Sequence, residues 1–233
     1  MTDTASRVVM VSGASRGIGH AIALRLHRAG YCLSLGLRQP EALAGSELAE
    51  SDRVQHVPYE ATDRQAAKGW VDAVQERFGR VDALVNCAGV LLHYAIDDED
   101  ESALDTMLDI NLKAPLRLTR AALPALRQTG SGRIINLVSM SGKRVKGVSA
   151  GYSISKYAEM AMTHATRNAA WDDGVRVTAL CSSWVDTDMA QVSNMERDNM
   201  TRPEDVAELV KTTIELPNTA HLNEITVNCQ LEV

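Results

Sequence analysis

The stretch Ser12-Gly13-Ala14-Ser15-Arg16-Gly17-Ile18-Gly19 decides how the whole chain reads. Before it, residues 7–12 (RVVMVS) form a β-branched run of the kind that fills a buried strand. After it, Ile18, Ala21, Ile22 and Leu26 recur at helical spacing over residues 17–29, and Gly30 supplies a glycine stop. Three glycines between strand and helix let the backbone turn tightly and approach a pyrophosphate with no Cβ in the way. The helix start adds free N–H groups and partial positive charge. The spacing is GxxxGxG, which differs from the general dinucleotide fingerprint GxGxxG. Its strand–loop–helix setting is what lifts it above a glycine turn kept for packing.

Working outward, short β-branched runs alternate with longer helical patterns, the signature of a parallel sheet covered by helices. Strands are expected at 31–37, 53–57, 81–86, 133–138, 175–180 and 224–228. Helices are expected at 63–78, opened by a capping Thr or Asp and closed by Gly79, and at 151–171. Another is expected at 203–215, with Pro203 at its first position. The stretch from Ser102 to about Gln128 is helical but carries Pro115, which predicts a kink or a restart there. Seven strands with crossover helices, no repeats and no Pro/Gly/Ser linker make one α/β domain over residues 1–233.

Composition narrows the function. The 233 residues are 45% hydrophobic and 23% charged, enough for a packed core rather than disorder. Aromatics at 4% argue against a base-stacking surface, and a net charge of −6 argues against binding a phosphate backbone. The polar opening MTDTASR runs directly into the first strand, so neither a signal peptide nor a membrane span is expected. Cys32, Cys87, Cys181 and Cys229 lie far apart without a CxxC pair, as buried thiols of a reducing cytoplasm do. His20, His27, His56, His93, His164 and His221 offer no ligand-spaced pair, so no metal is expected. The acidic run 97–101 reads as charge crowding a helix start, where the macrodipole favours it.

Four further signatures follow in order. Asn86-Cys87-Ala88-Gly89 closes the fourth strand, Asn111 sits in DINLKAP, Ser139 ends the fifth strand, and Tyr152-xxx-Lys156 begins 13 residues after that serine. Tyr152 and Lys156, four apart on a helix, share one face. A tyrosine hydroxyl titrates near pH 10 in water, and a neighbouring ammonium that stabilises the phenolate tunes it for acid–base work. A serine at the carboxyl end of a strand stands where open α/β sheets bind ligands, and its hydroxyl can bond an oxygen that gains charge. Taken singly, each is weak: a Tyr–Lys helix pair is usually ordinary amphipathic surface.

Together with the glycine loop, from Val8 to about Val227, these motifs resemble the short-chain dehydrogenase/reductase family, in the single-domain branch that includes 3-oxoacyl-carrier-protein reductases. The resemblance implies a Rossmann-like, doubly wound, seven-stranded parallel sheet with helices on both faces. It implies a catalytic set of Asn111, Ser139, Tyr152 and Lys156, in which Tyr152 protonates a carbonyl oxygen, Lys156 also holds the cofactor ribose, and Asn111 anchors a water of a proton relay. Gly13, Ser15, Arg16, Gly17, Ile18 and Gly19 would cradle the cofactor. Glu60 would stand near adenine, Asn86, Ala88 and Gly89 would line the adenine and ribose side, and Val185 and Thr187 would meet the nicotinamide. Family members also associate, so a homodimer or homotetramer through residues 102–128 and 151–171 is expected.

The second strand ends Leu35-Gly36-Leu37-Arg38, without the carboxylate that would accept from a ribose 2′-hydroxyl. Arg38, with Arg16, is instead available to a 2′-phosphate, which favours NADP(H) over NAD(H). The chain departs from the family after its sixth strand: Ser182-Ser183 replaces the usual Pro-Gly, which predicts a reshaped nicotinamide end to which Ser183 contributes a hydroxyl. The short stretch up to Pro203 holds Met189, Met195 and Met200, which suit variable apolar ligands or plain packing equally. The leading reading is a carbonyl or secondary-alcohol oxidoreductase. A 3-oxoacyl thioester reductase, with Lys143, Arg144 and Lys146 as a docking patch, and a non-catalytic NADP-binding regulator are the alternatives.

Overall fold

The structure, a computed structural model, describes residues 7–146 and 149–231; residues 1–6 of the polar opening lie outside the described residues. Seven strands form one sheet: β1 (Val8–Ser12), β2 (Cys32–Leu37), β3 (Val54–Pro58), β4 (Ala83–Asn86), β5 (Arg133–Leu137), β6 (Arg176–Ser182) and β7 (Glu224–Val227). Their spatial order is β3-β2-β1-β4-β5-β6-β7, and every neighbouring pair is parallel. Strand order reverses between β1 and β4, so a crevice opens at the carboxyl ends of those two strands, where the quoted loop lies.

The alternation along β1 sorts the two cores. Val9 and Val11 face one side, packed with Ile22 and Leu26 of α1 (Gly17–Arg28) and with Val206, Val210 and Ile214 of α6 (Pro203–Glu215). Val8 and Met10 face the other, with Trp70 and Val74 of α2 (Ala66–Phe78) and Leu118, Ala122 and Leu126 of α4 (Ala114–Gln128). Each such side chain, fully buried, contributes about 1.5–3 kcal/mol. Trp70 anchors α2: its indole N–H donates to Ser34 Oγ at 2.8 Å, and its ring occupies the space a Cβ at Gly36 would need, 2.4 Å away.

Three elements depart from the sequence reading. Helix α2 starts at Ala66 rather than 63, because Asp63 Oδ1 accepts from the Gln65 N–H in a local turn instead of capping the helix. The break near Pro115 is a π-helical turn, Asp109–Lys113, between α3 (Ser102–Leu108) and α4. Pro115 is the second residue of α4, where its missing N–H costs nothing, and Pro124 is carried inside the same helix. The acidic run precedes α3, with Asp98 and Asp100 accepting from the backbone N–H groups of Ala95 and Ser102. Among the described residues, no helix is long and apolar enough to cross a membrane, and no His/Cys/Asp/Glu group could hold a metal ion.

Candidate active site

The glycine loop is shaped by close approaches. Gly13 has φ +72°, and a Cβ there would lie 2.9 Å from the Ala88 backbone; at Gly19 it would lie 2.2 Å from the Gly13 carbonyl oxygen. Ser12 Oγ accepts from the N–H groups of Cys87 and Ala88, at 3.0 and 3.1 Å, and ties the β1 loop to the β4 loop. Helix α1 begins after Arg16 with no side-chain cap and no acidic residue in its first turn, so the N–H groups there suit an anion. Ser15 and Arg16 are exposed, Ile18 is half-buried, and Arg16 reaches Asp188 at 3.4 Å. The cradle therefore fits a dinucleotide pyrophosphate.

Arg38 is exposed immediately after β2. Glu60, also exposed, accepts from both the N–H and the hydroxyl of Thr62. Asn86 turns its side chain into the interior, where its amide donates to Thr119 Oγ1 at 3.2 Å and Asn136 Oδ1 at 2.8 Å. Only its backbone is left for the crevice. The segment after β6 folds back over the loop: Thr187 Cγ2 lies 3.3 Å from where a Gly17 Cβ would be, and Val185 is buried beside Thr201.

Helix α5 (Ala150–Ala170) starts cleanly because Ser149 Oγ accepts from the Tyr152 N–H. Gly151 lets α5 pass close to Met107 and Tyr94, so Tyr152 stands half-buried one residue later. Lys156 is almost wholly buried; its ammonium lies 5.8 Å from the Tyr152 ring centroid and donates to the Leu137 carbonyl at 2.8 Å and Glu159 Oε2 at 2.7 Å. A Cβ at Gly89 would fall 3.3 Å from Asn111 Oδ1 and 3.9 Å from Lys156 Nζ, which puts the β4 loop, the π turn and α5 around one point. Asn111 is held there by Val90, whose N–H donates to Oδ1 and whose carbonyl accepts from Nδ2, and by Ser155 Oγ at 3.0 Å. Ser139 lies two residues beyond Leu137, with its Oγ accepting from Ser141 N at 3.0 Å and its backbone at φ 152° and ψ 159°.

Electrostatically, burial works against the Lys156 charge, but the Glu159 carboxylate and Tyr152 more than offset it and hold the ammonium above its ordinary value. Burial pushes the Cys87 thiol up to about 12 and the Cys181 thiol up to about 11, so both stay protonated. Glu159 is the residue that sequence reasoning missed. Its signal was available: Tyr152, Lys156, Glu159 and Thr163 follow one helical stripe. A carboxylate on a helix ordinarily reads as solvent face, however, and only burial corrects that.

Residues 7–198 match the family model described as short chain dehydrogenase. The chain belongs to the short-chain dehydrogenase family. Members of this family are oxidoreductases that bind a nicotinamide cofactor. The chain is 39% identical over 229 residues to an agropine synthesis reductase of Rhizobium rhizogenes, covering 97% of this chain and 53% of that protein. It thus spans about half the length of that relative. It is 34% identical to an uncharacterized oxidoreductase of Staphylococcus aureus (strain USA300), covering 97% of this chain and 99% of that one. Among solved short-chain dehydrogenase relatives, an alcohol dehydrogenase of Thermococcus sibiricus complexed with 5-hydroxy-NADP superposes with a TM-score of 0.86 at 28% identity, covering 95% of each chain. A short-chain dehydrogenase of Streptomyces avermitilis gives 0.85 at 25% identity, covering 95% of this chain and 87% of that one.

The family's Pro-Gly turn is replaced here by an extended backbone. Ser182 pairs with Val227 as the last residue of β6, the Ser183 N–H donates to the Val227 carbonyl at 2.8 Å, and Cys229 Sγ lies 3.7 Å from Ser183 Oγ. The three methionines separate: Met189 is exposed, Met200 is buried, and Met195 Sδ meets Cys229 Sγ at 3.6 Å.

Proposed function

We propose that the protein is an NADP(H)-dependent oxidoreductase that transfers a hydride between the nicotinamide and a carbonyl or secondary alcohol, with Tyr152 as general acid/base. The observation that carries this reading is the convergence of Gly89, Asn111, Tyr152 and Lys156 beside the glycine cradle. The cofactor, when bound, supplies or accepts the hydride. In reduction Tyr152 gives its phenolic proton to the substrate oxygen, and the Ser139 hydroxyl donates a hydrogen bond to that oxygen as negative charge grows on it. Lys156 keeps a positive charge beside the phenol and presents an N–H to the ribose side. Asn111 fixes the β4 loop against α5. Gly13 to Gly19, Ala88, Gly89, Val185 and Thr187 would hold the dinucleotide, with Arg16 and Arg38 on the 2′-phosphate.

The reading takes residues 1–233 as one domain in the cytoplasm, acting on a small molecule and not on nucleic acid or membrane. Ile154 and Tyr157, exposed on α5, support association of copies through that helix. Among substrates, a simple carbonyl is favoured over a carrier-bound thioester, because Lys143 of the basic patch is already paired with Glu224. The experiment is loss of NADPH absorbance against a panel of acetoacetyl thioesters, diketones, aromatic aldehydes, cyclic ketones and sugars. Tyr152→Phe should abolish turnover and spare cofactor binding; turnover that survives it rejects the acid–base assignment, and binding without any turnover favours the regulator. Arg38→Ala should erode the preference for NADPH over NADH, and an unchanged preference removes Arg38 from the 2′-phosphate site.

A further inference from the structure

The Lys156–Glu159 pair is buried on both sides, with side-chain exposures of 6% and 3%, and the family-level reading of the site assigns Glu159 no part. A carboxylate this deep is retained only with a partner, and removing one member of such a pair leaves an uncompensated charge. Glu159 spends one ammonium N–H at 2.7 Å, and the Leu137 carbonyl takes a second at 2.8 Å. An ammonium has three N–H groups. Two bonds from below, one from its own helix and one from β5, leave the third for the side where Gly89, Asn111 and the Tyr152 ring stand.

The surroundings supply no other counter-charge. Lys156 faces Tyr152 and Glu159 from α5 and the Cys87 thiol from the loop after β4, while Cys181 of β6 lies on the Glu159 side. Both thiols are held neutral by burial. Glu159 is therefore the group that permits a full positive charge to persist at this depth.

We propose that Glu159 is a positioning residue: its buried carboxylate keeps Lys156 charged and aims its remaining N–H at the Tyr152 side of the crevice. This rests on the acid–base reading of Tyr152 and Lys156, and its test is arranged to be separable from that reading. Glu159→Gln keeps the size and an oxygen acceptor but removes the charge. In protein labelled with [13Cε]-lysine, with the Lys156 resonance assigned by its loss in Lys156→Arg, the substitution should lower the pH at which Lys156 deprotonates by one unit or more. With a carbonyl substrate in hand, the alkaline limb of the kcat/KM profile should move down by a similar amount, and kcat at pH 9 should fall about tenfold. Glu159→Asp, which keeps the charge, should restore most of both.

A Lys156 resonance that titrates identically in parent and Glu159→Gln overturns the proposal, whatever turnover does. A shifted resonance with an unmoved pH profile overturns it as well, because the charge would then be idle in catalysis. A parent protein without turnover defeats the functional reading alone, and the resonance still decides whether Glu159 governs Lys156. If Glu159→Gln does not fold, the comparison is made with Glu159→Asp, whose longer separation should lower the titration by a smaller step; no step overturns the proposal.

Discussion

Ser139 is held at φ 152° and ψ 159°, a region that admits glycine and strains any residue with a Cβ. Residues kept there cost on the order of 1–3 kcal/mol. Two substitutions separate that strain from chemistry. Ser139→Ala keeps the Cβ and the strain and loses the bond that Oγ accepts from Ser141 N, a net loss of about 1 kcal/mol. Ser139→Gly loses the same bond but releases the strain, against about 0.4–1 kcal/mol for the greater freedom of its unfolded chain. With strain near ~2 kcal/mol, glycine should stand ~1 kcal/mol above alanine, the reverse of their order at ordinary positions. In a chain of this length that is about 2–4 °C in Tm. Both variants lack the hydroxyl and should lose roughly 10²–10³ in kcat, alike within a few fold. Urea unfolding and NADPH oxidation on the three proteins read the two effects apart. Glycine at or below alanine in stability refutes the strain argument, and turnover within threefold of the parent refutes the role given to the hydroxyl.

Glycines divide by what their missing Cβ would meet. Gly19→Ala drives a methyl to 2.2 Å from the Gly13 carbonyl, so NADPH affinity measured by fluorescence should fall at least a hundredfold; retained affinity would show that the cradle does not need this approach. Gly69→Ala, in the exposed middle of α2 with open space around it, should instead stabilise by about 1 kcal/mol and leave turnover unchanged, as denaturant midpoints will show. Acid should weaken the fold through His221, which burial and then Arg176, Arg167 and Arg133 hold at about 4, against 6.5 as its ordinary value. Because the unfolded chain binds that proton first, stability is full above pH 6.5, falls between pH 6.5 and 4, and levels off below. The gap amounts to about 3 kcal/mol at ~1.4 per pH unit, reduced to ~1–2 by solvent at the half-buried ring. Urea unfolding of His221→Gln across that range should give a flatter slope, and equal slopes would remove His221 as the source.

Much of the fold was legible because backbone chemistry announces itself locally. Proline at the first position of α6 gave both of its ends, Pro203–Glu215, and Gly79 in the left-handed region closed α2 where the sequence placed it. Where two local rules competed, the sequence alone misjudged the winner. Asp63 looked like a helix cap but served a turn three residues earlier, and β6 ran on to Ser182 because β7 offered Val227 as a partner. The candidate site was legible for a different reason. Its members sit at fixed points of the chain, at strand ends and on one helical stripe, so spacing carries them. What spacing does not carry is the direction in which a side chain turns. Asn86 ends β4 opposite Asn136 and joins it in the interior, although its neighbours Ala88 and Gly89 face the crevice.

The π turn at 109–113 shows how one local irregularity serves the site. A regular helix from Ser102 through Gln128 would have bonded each N–H four residues back and carried Pro115 in its interior at about 3 kcal/mol. The wider turn lets α4 restart with Pro115 in its first turn. The widening falls on Asn111, whose side chain is wholly buried and spends its amide on Val90 and Ser155 rather than on its own helix. Ser155 in turn donates to the Tyr152 carbonyl at 2.8 Å, so the same amide braces the β4 loop and the first turns of α5. The proline that the sequence marked as a break thus coincides with the place where three elements must meet around Lys156, and the cost of irregular backbone is repaid in the fixed geometry of the acid–base pair.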